Sequence, residues 1–130
     1  MLIQINRNLI YTSKDPDFLG WDSPELQNTG PTEYQTENIV GVRFGRDPNK
    51  TYDALKKSGE INKCLGILDL MTLVDDDEAY FTKGFIVGLR SVAKSRIGPL
   101  SVPYIADGQI EWGWLHDFGG EDSFFQKWEQ

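Results

Sequence analysis

A chain of 130 residues with 39% hydrophobic and 12% aromatic residues and a formal net charge of −7 has the size of one globular domain and enough apolar side chain to build its own core. The acidic balance argues against nucleic acid and anionic membrane surfaces, both of which require basic patches, and the longest apolar runs fall far short of the roughly 18–20 residues of a membrane-spanning helix. A single Cys and a single His exclude an internal disulfide and a zinc site built from them.

Residues 2–11 read as β-structure, either one strand or two short ones folded at Asn6–Asn8. Nothing in Met1–Ile10 resembles the basic and apolar regions of a secretory signal, so a cytoplasmic location is expected. Residues 12–38 contain Asp15-Pro16, Gly20, Ser23-Pro24 and Thr29-Gly30-Pro31 with no sustained period, which predicts a long loop. That loop is acidic, with one Lys against six carboxylates. Ile39–Phe44 alternates and predicts a strand. A helix should follow, with Asp47 as cap, Pro48 at its first position, Tyr52 and Leu55 on its apolar face and Ser58-Gly59 as its stop.

Residues 60–74 fit a helix better than a buried strand, because Ile61, Leu65 and Leu68 have helical spacing. Cys64 within this stretch reads as a small core residue. The acids Asp75–Glu78 then suit a helix N-terminus and Arg90, Lys94 and Arg96 a C-terminus. This predicts a helix over Asp75–Ser95 with Phe81, Phe85, Leu89 and Val92 on one stripe. Gly84 and Gly88 weaken it and suggest a close backbone approach. Val102–Ala106 and Gln109–Leu115 flank Asp107-Gly108, a strong hairpin signal, with Ile110, Trp112 and Trp114 on one face. Phe124, Phe125 and Trp128 suit a short terminal helix. Together these elements predict one domain over 1–130 with an α+β fold, in which central helical segments are flanked by N-terminal and C-terminal antiparallel strands.

Catalytic signals are sparse. His116 beside Asp117, with Glu121 and Asp122 close in sequence, is the one candidate for acid–base chemistry, although a His at a strand end is usually structural. Asp117-Phe118-Gly119 matches a kinase metal-binding tripeptide with none of its companion motifs. Asp75–Glu78 does not continue as a calcium loop, since Tyr80 stands where the sixth-position Gly belongs. No nucleophile elbow, Walker loop or dinucleotide fingerprint is present, so no metal and no cofactor is expected.

The acidic segment is the stronger candidate. Asp15, Asp17, Asp22 and Glu25 interleave with Phe18 and Trp21, a mixture that combines electrostatic steering with aromatic anchors. The expected function is a non-enzymatic acidic binding protein of the inhibitor or immunity type, which docks on a basic protein partner and modulates it. The alternatives are a small enzyme around His116 and Asp117, and an assembly or structural subunit that uses the aromatic C-terminus. Self-association is left open.

Overall fold

The computed structural model describes residues 2–43, 49, 51–75, 86–118 and 124–128. Among these the chain is mostly antiparallel strand with two α-helices, so the α+β class holds in its coarse form. The expected arrangement of central helices between terminal strands does not, because the helices pack against sheets.

Strand β1 (Leu2–Gln4) pairs antiparallel with β3 (Glu33–Gln35), placing Ile3 opposite Tyr34. Both are buried while their neighbours are exposed, the period-2 pattern of a half-buried strand. The N-terminal β-segment thus forms only its first strand, followed by a turn at residues 7–8. Residues 12–38 are more structured than a loop. They hold β2 (Phe18–Trp21), β3 and short 3-10 turns at Pro24–Leu26 and Thr36–Asn38. Strand β4 (Ile39–Arg43) appears where alternation predicts it.

Helix α1 (Tyr52–Ser58) ends as expected at Gly59, whose φ of +80° suits a residue without Cβ. Its cap is Thr51, whose hydroxyl accepts from the Ala54 N–H at 3.2 Å; the predicted cap and first position, Asp47 and Pro48, lie outside the described residues. The helical stretch predicted over 60–74 is broken in two, a 3-10 turn at Glu60–Lys63 and α2 (Ile67–Asp75). The break falls where Cys64 turns extended and forms a β-bridge to Lys127. A Cβ on Gly66 would stand 3.0 Å from Ser91 Oγ and 3.3 Å from Arg90 Cβ, and the first N–H groups of α2 are satisfied from outside the helix ladder. Ser91 Oγ accepts from Ile67 at 2.7 Å, and Asp69 accepts from Gly66 at 2.8 Å.

The helix expected over Asp75–Ser95 is overturned. Asp75 closes α2, residues 76–85, including Phe81, Gly84 and Phe85, lie outside the described residues, and the rest forms β5 (Ile86–Val87), a 3-10 turn at Leu89–Ser91 and β6 (Ala93–Ser95). Leu89 and Val92 are buried as expected, but through sheet packing. The interruption between β5 and β6 has a cause in the strand opposite. In β7 (Ser101–Ala106), Pro103 accepts from the Gly88 N–H at 2.9 Å and has no N–H to return, so the facing strand stops there.

Strands β7 and β8 (Gln109–Trp114) form the predicted hairpin over six register pairs. Asp107 and Gly108 have φ of 52° and 77°, the left-handed pair of a type I′ turn. Strand β2 pairs with β6, and β7 binds β5 and β6 on one side and β8 on the other. The C-terminal aromatics form no helix. Phe124–Trp128 is β9, paired with β4 from Ile39↔Trp128 to Arg43↔Phe124.

The five-stranded sheet has an apolar cluster on each side. Ile86, Ile105 and Ile110 pack with α2, β1, β3 and Trp128, whereas Val87, Val102 and Tyr104 pack with α1, Ile61 and Phe118. Cys64 is a buried member of the second cluster.

A buried ionic centre joins these parts. Asp69, 0% exposed, accepts from Arg7 Nη2 at 2.8 Å and Nη1 at 3.2 Å, from Tyr34 Oη at 3.2 Å and from Gly66 N. Arg7 Nε donates to the Pro31 carbonyl at 2.9 Å. Arg90 donates to the carbonyls of Asn62 and Leu26 and to the Thr29 hydroxyl. Both guanidinium carbons lie over the Trp128 ring, at 5.2 and 5.4 Å, where the π-face adds attraction to two cations that share one carboxylate. Gly30, at φ +121°, passes where a Cβ would come within 2.9 Å of both guanidinium groups.

Candidate functional site

The sheet register creates a trough on one face. Trp21 lies opposite Ala93, Ala93 opposite Ser101 and Ser101 opposite Trp114, and directly paired residues project to the same side of a sheet. One row across four strands therefore reads aromatic, small, small, aromatic. The adjoining row adds Phe18 opposite Ser95, and Pro103 opposite Trp112 lies further along β7 and β8. Small side chains in the middle strands form a floor, and the rings on the outer strands stand as walls.

Tyr11 crosses one end. Its ring lies 5.9 Å from Trp21 and 6.1 Å from Trp112, and its hydroxyl accepts from Trp112 Nε1 at 3.3 Å. Phe18 meets Trp21 edge-on at 5.2 Å. The resulting cavity holds about 510 Å³, within the usual range for ligand sites. Lys14 and Lys94 on one side of the balance and Asp15 and Asp117 on the other supply charge along its lining.

Two of the residues that the sequence assigned to partner binding, Asp15 and Phe18, line this cavity, as does Asp117 from the catalytic pair. The others sit elsewhere. Trp21 is half-buried and packed against the core through its ring contacts, so it backs Tyr11 and Phe18 and is not a projecting anchor. Asp17 is half-buried, and its carbonyl accepts from the Arg96 N–H at 2.8 Å. Glu25 is exposed on the Pro24–Leu26 turn. Asp22 is engaged internally, accepting from Tyr52 Oη at 2.6 Å and Lys56 Nζ at 2.8 Å.

Those bonds set its charge. Partial burial acts to raise the Asp22 pKa, but hydrogen bonds from Lys56 and Tyr52, with the charges of Lys56 and Lys94, hold it below the ordinary value of 3.8. A carboxyl whose folded pKa lies below its unfolded one adds stability that is complete above the unfolded value and is lost as pH falls through the folded value. Asp22→Asn should therefore flatten the acid side of the stability profile below about pH 4. Urea denaturation midpoints followed downward from neutral pH will show this, and an unchanged slope would mean that the pair contributes nothing to folding.

His116 and Asp117 are 66% and 63% exposed, with His116 Nε2 3.3 Å from Asp117 Oδ1. They sit on a 3-10 turn at Leu115–Phe118, and His116 is not part of the cavity lining. Within the cavity, Ser13 Oγ and Ser95 Oγ accept from the N–H groups of Asp15 and Ile97. Glu121 and Asp122 lie outside the described residues. Among the described residues no three His, Cys, Asp or Glu side chains cluster as a metal site would need, and no helix is long and apolar enough to cross a membrane.

Sequence reasoning missed Tyr11, Ala93 and Ser101 as parts of the site and only set Trp112 and Trp114 together on one face of their strand. Its available signal was the small residues of β6 and β7, which matter only once the register places them between aromatic strands. No protein-family model, curated protein or solved structure matches the chain.

Proposed function

We propose that this chain is a non-enzymatic binding protein that docks on a basic protein partner and modulates it, with the aromatic cleft receiving arginine or lysine side chains. The observation that carries this reading is the meeting of Phe18, Trp112 and Trp114 with Asp15 and Asp117 around one cavity, whose rim Lys14 and Lys94 share. A guanidinium laid on an indole or phenyl face gains about 0.5–2 kcal/mol, increasing as water is excluded, and an adjacent carboxylate adds a charge-assisted hydrogen bond. The net charge of −7 speeds the approach of a cationic surface. An enzymatic role at His116 has less support, because the imidazole is exposed and outside the cleft lining. An assembly role for the C-terminal aromatics is disfavoured by Trp128, which is buried beneath two arginines.

The cleft contains its own reporters, Trp112 and Trp114. An arginine–glycine repeat peptide should shift their fluorescence in a saturable way, and a glutamate–glycine repeat should not. Asp15→Asn with Asp117→Asn should weaken binding about fivefold to tenfold, mostly at low salt. Trp114→Ala should weaken it about thirtyfold, as expected for a 2 kcal/mol hot spot. Equal response to both peptides, or an affinity untouched by all three substitutions, would refute the reading.

A further inference from the structure

We infer that the partner segment binds as an additional β-strand along the free edge of β8, an inference that rests on the cleft reading above. The hairpin register fixes which backbone groups of β8 face outward. The loop is two residues long and closed by Ala106↔Gln109, and Leu115 N donates to Leu100 O at 2.8 Å beyond the last register pair. Antiparallel ladders alternate between bonded and non-bonded pairs, so Gln109, Glu111 and Gly113 bond to β7. The N–H and C=O groups of Ile110, Trp112 and Trp114 then point away from the sheet, and no partner strand is paired to them among the described residues.

Natural sheets guard such edges with Lys, Pro, bulges or brevity. The opposite edge is guarded, because β2 has only four residues and a register shift between Phe18 and Gly20. Strand β8 has none of these devices. It runs six residues without a break in register and without Lys or Pro. The groups that would receive a new strand belong to the residues that carry the cleft's Trp112 and Trp114, so an added strand would set alternate side chains beside the aromatic wall.

Charge selects the occupant. Asp15 and Asp117 line the cleft beside this edge, so an extended segment with basic residues at alternate positions sets them all on the cleft face, where the aromatic rings and carboxylates receive them. A second copy of this chain would bring another net −7 to the same edge, which opposes self-pairing.

The test uses the full chain and two synthetic peptides, an alternating arginine–threonine peptide and the same peptide N-methylated at every second residue. Saturation with the first should slow amide hydrogen exchange at Ile110, Trp112 and Trp114 about tenfold or more, and N-methylation should weaken binding about tenfold or more by removing donors. Saturable tryptophan fluorescence with unchanged exchange at those amides, and equal affinity for the two peptides, would overturn strand addition while leaving the cleft reading standing. Failure of both peptides to bind would overturn both. Protection of the same amides without peptide, together with dimers in sedimentation, would identify a second copy as the occupant and overturn the inference.

Discussion

Asp69→Ala should destabilise the protein by about 3–5 kcal/mol, the cost of stranding a buried charge. The carboxylate has four donors, two from Arg7 and one each from Tyr34 and the Gly66 N–H. Its removal orphans all of them inside the core. Burial, and next the Asp69 charge, push the Tyr34 hydroxyl well above the ordinary tyrosine pKa, so in the native protein it is a proton donor to this carboxylate. Because a domain of this size has about 5–15 kcal/mol in total, the variant should unfold at far lower denaturant, with its midpoint read by circular dichroism. Arg7→Met in the same background should recover part of the loss by removing the stranded cation. A loss under about 1 kcal/mol, the range of an exposed pair, would show that water reaches this centre.

Leu70→Ala should cost about 2–5 kcal/mol through lost burial and the void it leaves. The side chain is fully buried, and its Cδ1 stands 3.1 Å from where a Cβ on Gly88 would be. Gly88→Ala alone overfills that contact and should also destabilise, by about 1–3 kcal/mol. Combined, the new methyl occupies part of the space that leucine vacates, so the double variant should be more stable than the sum of the two losses predicts, by about 0.5 kcal/mol or more. Strict additivity in chemical denaturation would mean that α2 and the β5–β6 corner do not share this space.

Elements stabilised by local signals were legible in the sequence. Asp107-Gly108 specifies a turn by its own backbone preferences, Gly59 ends α1, and the alternation of Ile39–Arg43 survives as β4. The errors cluster where distant partners decide. Phe81, Phe85, Leu89 and Val92 fit a helical stripe, yet residues 86–95 follow β7, whose Pro103 breaks the facing strand. The C-terminal aromatics extend as β9 because β4 offers them an edge, a pairing that no local pattern announces. The acidic segment 12–38 lacked periodicity because its strands are short and β2 shifts register between Phe18 and Gly20, although it does supply Asp15 and Phe18 to the cleft. The floor of the cleft was invisible for the same reason, since Ala93 and Ser101 become neighbours only through register.

The Arg7–Asp69 pair spans 62 positions, and β4 finds its partner in β9 with Ile39 against Trp128. Folding rates fall as contacts reach further along the chain, and sheet-dominated domains of this kind fold in about milliseconds to seconds. During synthesis β4 has no strand to pair with until residue 128 emerges, and Arg7 and Arg90 lack the Trp128 face that covers them. Until then these groups lack the partners that cover them, and that interval is when the nascent chain is most exposed to misassembly.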